Sequence, residues 1–185
     1  ARLSDGNVYT IGIAAVDLAG NVSSYRNGNS VAVDLSAPSG TSITINNDAV
    51  FTNTATVSLG LAATDSSAPV SAKVSNKADL SYDGVNSDSG TWIDFASTKI
   101  WTLGAVDGAE TVYAAYKDAG GNISATISDS IILDRAAPAA PLITPIVGYQ
   151  SNNVFISGTA EANSTVNLSL AGGVTVTNIA VANGA

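Results

Sequence analysis

Four aspartates at repeated positions are the residues of this sequence best suited to chemistry. Asp17 and Asp118 each open a short turn that ends in Gly-Asn, and Asp34 and Asp134 each stand four residues before a proline. Calcium takes about 6–8 oxygen ligands from carboxylates and backbone carbonyls in flexible geometry. Acids from a loop and from a linker would supply such oxygens where two modules meet. The pattern therefore predicts a structural calcium site built from Asp17, Asp34, Asp118 and Asp134.

A second interpretation gives Asp17 and Asp118 a purely local role. Aspartate side chains accept hydrogen bonds from the backbone of the turns that they begin, and this alone would hold a Gly-Asn turn. The spacing also lacks the EF-hand calcium signature. The sequence leaves the metal-binding and the turn-holding interpretations open.

Composition removes most other chemistry. The 185 residues include no His and no Cys, and the formal net charge is −8. A Ser-His-Asp triad, a cysteine nucleophile and a zinc site are therefore excluded. The acidity argues against nucleic acids and anionic membrane surfaces as partners, and no apolar run approaches the ~20 residues of a membrane helix. We expect no enzymatic activity, no nucleic-acid partner and no membrane insertion.

Two further groups invite a binding hypothesis. Asp79, Asp83, Asn86 and Asp88 form an acidic stretch without the EF-hand register, so a solvated loop is the favoured interpretation and a cation site the second. Trp92 lies near this loop and could stack on a sugar ring. Trp101, which alternates with a leucine along a strand, is expected in the core.

The aspartates belong to a motif that occurs twice. Residues 17–23 (DLAGNVS) recur as 118–124 (DAGGNIS) at an offset of 101, and 33–38 (VDLSAP) recur as 133–138 (LDRAAP) at an offset of 100. One residue of slack separates the two offsets. A repeat at domain length marks an array of similar modules.

The elements that must position these motifs are strands. Apolar and polar residues alternate over segments of four to nine residues that are bounded by Gly, Asn, Asp, Ser and Pro, and no helical period is visible. In the middle of the chain we expect strands at 42–45, 56–62, 70–74, 99–103, 111–117 and 128–134. Their expected inward residues are Val57, Leu59, Leu61, Trp101, Leu103, Val112, Ala114 and Tyr116. About seven short strands in about a hundred residues match an immunoglobulin-like sandwich over residues 39–138.

The two ends carry parts of such modules. Residues 1–38 have only closing strands, at 8–16 and 30–34, and residues 139–185 have only opening strands, at 153–159, 165–170 and 174–176. The predicted fold is therefore all-β, with tandem immunoglobulin-like modules, one complete and two partial. Either the natural chain continues beyond both ends, or copies complete one another by strand complementation, because an orphan half-sandwich exposes a sheet edge.

The motifs resemble a known family. Residues 157–166 (SGTAEANSTV) resemble the opening of bacterial Ig-like domains in large secreted adhesins. The Asp-x-Ala-Gly-Asn-x-Ser turn and the Val-Asp-x-x-Ala-Pro exit resemble the closing half of the same modules. The resemblance covers essentially the whole chain. It implies an elongated extracellular or cell-surface array, often stiffened by calcium.

Two functions follow as hypotheses. The first is a structural or adhesive repeat protein of the bacterial cell surface, a stalk or filament-forming unit whose partners are other modules, copies of itself or an unknown host or matrix ligand. The second is an accessory carbohydrate-binding or spacer module of a secreted enzyme, for which Trp92 is the single aromatic candidate.

Overall fold

The computed structural model describes residues 2–68, 70–145, 156–162 and 164–168, and in this part every regular element is a β-strand. The strands are β1 (Val8–Ile13), β2 (Arg26–Ala32), β3 (Ser39–Ile45), β4 (Phe51–Thr52), β5 (Thr56–Thr64), β6 (Ser71–Ser75), β7 (Ile93–Asp94), β8 (Thr98–Thr102), β9 (Gly108–Lys117), β10 (Ile127–Leu133), β11 (Leu142–Ile143) and β12 (Gly158–Thr159). The predicted all-β class is confirmed. No helix that could cross a membrane occurs among the described residues.

The chain separates into two compact units, Ala1–Arg135 and Ala136–Ala185. In the first unit the β1–β2 hairpin precedes eight strands, β3 to β10, that form two sheets. In the second unit β11 pairs antiparallel with β12. The predicted strand at 174–176 lies outside the described residues, and those at 153–159 and 165–170 lie partly outside them.

Strands β3 to β10 form a β-sandwich. The smaller sheet has the order β3-β5-β8 and the larger has the order β4-β10-β9-β6-β7. Neighbours are antiparallel except for β4, which runs parallel to β10. The ends of β5 and β9, which lie in different sheets, come close to the segment that enters β3.

The core lies between the two sheets and follows the predicted alternation. The eight residues expected to point inward are all buried: Val57, Leu59, Leu61, Trp101, Leu103, Val112, Ala114 and Tyr116. The Tyr116 hydroxyl donates to the Ser42 carbonyl at 2.6 Å, because a phenol buried in an apolar core needs a hydrogen-bond partner. Sequence alternation was therefore sufficient to predict these eight core residues.

The sequence pattern did not predict the two shortest strands of the sandwich. β4 and β7 have two residues each, too few for an alternation to register. In the turn that follows β3, the residues Asn46, Asn47 and Asp48 all have positive φ angles, of 49°, 57° and 61°. Asn and Asp tolerate the left-handed region better than other non-glycine residues.

The β1–β2 hairpin repeats the β9–β10 hairpin of the sandwich. Thr10 pairs with Ser30 as Thr111 pairs with Ser130, and the side-chain oxygens lie 2.8 and 3.0 Å apart in the two copies. In the first copy the register shifts between Thr10 and Gly12, so that one residue of β1 faces two of β2. This β-bulge accounts for the one residue of slack between the two sequence offsets.

A candidate metal centre at the linker

The two repeated Asp-to-Asn turns are built alike. In the first, the backbone N–H and the side-chain amide of Asn21 donate to Asp17 at 2.8 and 2.7 Å. In the second, the same groups of Asn122 donate to Asp118 at 2.8 and 2.9 Å. Both aspartates therefore hold their turns, as the local interpretation predicted.

The hydrogen bonds in these turns also favour the ionised carboxylates. The Asn21 side chain and backbone lower the pKa of Asp17. Burial alone would raise the pKa of Asp118, but the hydrogen bonds from Asn122 outweigh it and the pKa is lowered. Both turns thus carry a negative charge at neutral pH.

Only the second turn belongs to a larger acidic group. One carboxylate oxygen each of Asp34, Asp65 and Asp118 lies within 4.8 Å of the others. Asp34 is in the linker between β2 and β3, Asp65 follows β5, and Asp118 follows β9. Asp118 is 4% exposed, and the other two are half-buried. The structure thus joins two of the four predicted ligands, Asp34 and Asp118, to one that sequence reasoning missed.

The remaining predicted ligands lie elsewhere. Asp17 is in the turn of the β1–β2 hairpin, and Asp134 follows β10. Among the described residues, neither belongs to a group of three acids that could share an ion. The sequence repeat explains why they looked equivalent: Asp17 is the counterpart of Asp118, and Asp134 is the counterpart of Asp34.

Backbone contacts hold the three segments of this acidic group together. Asp65 accepts a hydrogen bond from the Ser67 N–H at 2.7 Å, and the Ser67 carbonyl accepts one from the Ala119 N–H at 3.3 Å. The Asn122 side-chain amide donates to the Asp34 carbonyl at 3.1 Å. The linker, the β5–β6 loop and the β9–β10 turn are therefore fixed against one another.

Gly120 allows the linker to come this close. A Cβ atom at this position would lie 3.3 Å from Asp118 Oδ1 and 3.4 Å from the Asp34 carbonyl oxygen. A side chain at this position would therefore crowd both the turn and the linker backbone.

One oxygen of the acidic group has no partner. Asp34 Oδ1 accepts the Ser36 N–H at 3.1 Å, whereas Asp34 Oδ2 is buried and receives no hydrogen bond. A buried, unpaired carboxylate oxygen is costly unless a cation or a donor satisfies it. Two oxygens bound to one calcium ion at about 2.4 Å lie at most about 4.8 Å apart. The spacing and the all-carboxylate donor set therefore fit a hard divalent cation.

A second repeated pair of aspartates accepts hydrogen bonds from the segments that follow the two hairpins. Asp5 accepts the Leu35 N–H at 2.8 Å, and Asp107 accepts the Arg135 N–H at 3.1 Å. Each acid precedes a glycine with positive φ, 73° at Gly6 and 135° at Gly108. The hydrogen bond from Ser36 and then that from Leu35 lower the pKa of Asp5. This Asp-Gly pair recurs in the sequence at an offset of 102 but was not predicted as a site.

The acidic loop between β6 and β7 is organised by its own hydrogen bonds. Asp83 Oδ1 accepts the N–H groups of Val85 and Asn86 at 2.8 and 2.9 Å. Burial would raise the pKa of Asp83, but the hydrogen bonds from Asn86, Val85 and Ser89 lower it to about 2. Asn86 also joins the loop to Thr102 of β8 through both its amide and its carbonyl oxygen. Asp83 therefore serves the architecture of the loop.

The two tryptophans differ as predicted. Trp101 is 1% exposed, and its indole N–H donates to Asn76 Oδ1 at 2.7 Å. Trp92 is half-buried, but the ammonium groups of Lys117 and Lys73 lie 4.6 and 5.9 Å from its ring centroid. A sugar stacking on this ring would have to compete with these cation–π contacts.

No family model matches this chain, and no curated protein matches it significantly.

Proposed function

We propose that this chain is a structural segment of an extracellular repeat array, in which a calcium ion bound by Asp34, Asp65 and Asp118 fixes the linker to the sandwich that follows. The observation that carries the proposal is the buried Asp34 Oδ2, which has no hydrogen-bond partner and belongs to a carboxylate close to those of Asp65 and Asp118. Three neighbouring negative charges repel, and a divalent cation would turn this repulsion into a crosslink.

The proposed modules are immunoglobulin-like sandwiches. The three-plus-five arrangement of antiparallel strands, with β4 parallel to β10, supports this assignment. The repetition of the last hairpin at an offset of about a hundred residues supports a tandem array. Asp5 and Asp107 each accept a backbone N–H from the segment that follows their hairpin, which supports the same attachment of hairpin to exit linker in both copies.

The proposed role of the cation is mechanical. Asp34 belongs to the linker, whereas Asp65 and Asp118 belong to loops of the sandwich, so an ion shared by the three would resist bending at the linker. The next linker contains Pro138 and Pro141, which favour an extended and stiff connection. A chain of modules joined in this way would transmit load as a stalk on the bacterial surface, with a host or matrix ligand as its adhesive target.

The test is calorimetric unfolding of the chain in millimolar calcium and in chelator. A ligand at about 100 times its Kd stabilises the folded state by about 2.7 kcal/mol, which for domains of this size raises Tm by several degrees. Asp65→Asn should abolish most of this rise. Asp79→Asn is the matched control, because Asp79 also accepts the N–H of a serine two residues on but lies outside the acidic group. An equal Tm with and without calcium would refute the metal site.

A further inference from the structure

Two lysines and a tryptophan meet on the outer face of the larger sheet. Lys73 of β6 and Lys117 of β9 lie on adjacent antiparallel strands. The residues that precede them, Ala72 and Tyr116, are buried in the core, so the two lysines point to the opposite face. Their ammonium groups lie 5.9 and 4.6 Å from the ring centroid of Trp92, which stands just before β7, the next strand of this sheet. We call these three side chains the Trp92 patch.

The Trp92 patch offers hydrogen-bond donors and no acceptor, because ammonium groups and the indole N–H can only donate. Within the described part of the chain, neither ammonium group forms an ion pair or a hydrogen bond, and the indole N–H has no acceptor. Elsewhere in the sandwich such groups are paired: Lys99 with Asp88, and Arg135 with Asp107. Charged donors bind anionic oxygens most strongly. The patch therefore suits a ligand that supplies anionic acceptors.

The charge of the chain limits which anion can approach. Seven basic residues face fifteen acidic ones, and the net charge is −8. A nucleic acid carries a charge on every nucleotide and would be repelled by the acidic surface around the patch. A polysaccharide that carries carboxylates or sulfates on only some of its sugars can place one anionic group at the patch while neutral sugars lie over the rest of the surface.

One carboxylate on the same face opposes the capture of an anion. Asp94 of β7 pairs with Ser71, and Ser71 pairs with Lys117, so the three residues form one row across the sheet. Asp94 is exposed, and it makes no ion pair with Lys117. Its charge lowers the local positive potential without neutralising the lysine. Removal of this charge should therefore strengthen the binding of an anion.

We propose that the Trp92 patch binds an anionic polysaccharide, whose carboxylate or sulfate oxygens accept hydrogen bonds from Lys73, Lys117 and the indole N–H of Trp92. An ammonium group has three donors, so it can contact the anion while it remains over the ring. The sugar is thus held through its anionic group and does not have to displace the lysines from the ring face. This inference names a class of adhesive target and in that respect rests on the proposed function, but it does not require the metal site.

The test is titration of the whole chain with oligosaccharides, in chelator and at low ionic strength, where surface charges are least screened. The probes are hyaluronan, with carboxylates on alternate sugars, keratan sulfate, with sulfates and no carboxylates, and neutral N-acetylglucosamine oligosaccharides. At least one acidic probe should bind, and the neutral probe should not. Binding should change the fluorescence of half-buried Trp92, whereas Trp101 is 1% exposed. Hyaluronan alone would assign a carboxylate ligand, and keratan sulfate alone a sulfate ligand.

Variants locate the binding on the sheet. Lys73→Gln and Lys117→Gln should each weaken it about two- to fivefold, as expected for exposed charge pairs, and Asp94→Asn should strengthen it. Lys77→Gln is the matched control, because it removes the same charge from a lysine that donates to the Tyr82 carbonyl instead. It should bind like the unaltered chain.

Three results would overturn the proposal. The first is that neither acidic probe binds, and the second is that the neutral probe binds as well as they do. The third is that Lys77→Gln weakens binding as much as Lys117→Gln, which would show a response to net charge alone. Because chelator removes calcium, each of these results would leave the calcium-dependent rise in Tm as a separate test of the metal site.

Discussion

The side-chain amide of Asn122 donates a hydrogen bond to the backbone carbonyl of Asp34, a residue 88 positions earlier in the chain. The same amide donates to Asp118 within its own turn. One side chain therefore holds the linker backbone and one of the three clustered carboxylates. Its counterpart Asn21 makes the bond within the turn, to Asp17. Comparing Asn122 with Asn21 therefore distinguishes the hydrogen bond within the turn from the hydrogen bond to the linker.

We expect Asn122→Ala to loosen the linker and Asn21→Ala to leave it unchanged. Both variants lose the side-chain bond within their turn, but only Asn122→Ala removes the bond to the Asp34 carbonyl. A hydrogen bond of this kind contributes about 0.5–1.5 kcal/mol, so exchange of the Ser36 amide hydrogen should accelerate several-fold in Asn122→Ala. Equal exchange rates in the two variants would show that this bond does not hold the linker.

Asp34→Asn should change stability in opposite directions with and without calcium. In chelator, the amide removes one of three neighbouring negative charges and can donate to the other two, so the free energy of unfolding should rise by about 1 kcal/mol. In calcium, the variant loses a ligand and should be less stable than the unaltered chain. Chemical unfolding in the two buffers measures both values. A variant that is destabilised equally in both would show that Asp34 has a structural role without metal.

The fold of the sandwich was predictable because its core obeys a simple alternation. Successive residues of a strand point to opposite faces, so the alternation assigned Trp101 and Tyr116 to the inner face, and both are buried. The metal group was predictable only in part. Asp34 and Asp118 were visible through the repeated motifs, whereas Asp65 belongs to no repeated motif, so the sequence did not mark it.

The failure to find Asp65 has a physical reason. Its position beside Asp118 depends on how the loop after β5 in one sheet meets the turn after β9 in the other. Strand patterns fix which face of a strand is buried, but the meeting of loops depends on strand order and on the packing of the two sheets. Unlike Asp65, the Asp-Gly pairs at Asp5 and Asp107 could have been found from the sequence, because they recur at an offset of 102.

Acid should weaken the loop that Asp83 organises. Its pKa is lowered from 3.8 to about 2 in the folded chain. The native state thus favours the ionised form, and the stability that this gives is present above pH about 4 and lost as the pH falls toward 2. We expect the free energy of unfolding to fall over this interval, and Asp83→Asn to show a smaller fall. An unchanged acid profile in the variant would mean that the hydrogen bonds to Asp83 do not favour its charge.

We expect high pH to destabilise the fold through ionisation of Tyr116. Burial raises its pKa from 10.0 to about 12, so the folded state disfavours the phenolate. The sign is opposite to that of Asp83: the contribution to stability is complete below pH 10 and is lost as the pH rises toward 12. The Tyr116 phenol should ionise late in a titration followed by ultraviolet absorbance. Tyr116→Phe should remove that late step and, through loss of the bond to Ser42, lower stability by about 1 kcal/mol.

Gly90 should be the least replaceable glycine of the loop between β6 and β7. It has a φ of 70°, and a Cβ atom there would lie 2.6 Å from the Tyr82 backbone nitrogen and 2.7 Å from the Ser81 carbonyl carbon. Its own N–H donates to the Val74 carbonyl of β6 at 3.0 Å, so the loop cannot move away without breaking this bond. We expect Gly90→Ala to destabilise the sandwich by more than the ~1–2 kcal/mol of a left-handed residue alone.

Gly84 provides the comparison for Gly90, because its φ of 86° is also positive but nothing lies within 4 Å of the added Cβ. Gly84→Ala should therefore incur only the cost of the backbone conformation. Urea unfolding followed by tryptophan fluorescence measures the difference, which should exceed about 1 kcal/mol, since a backbone clash at 2.6 Å cannot be relieved by turning a side chain. If both alanine variants were equally stable, the close packing of Gly90 against residues 81 and 82 would not contribute to folding.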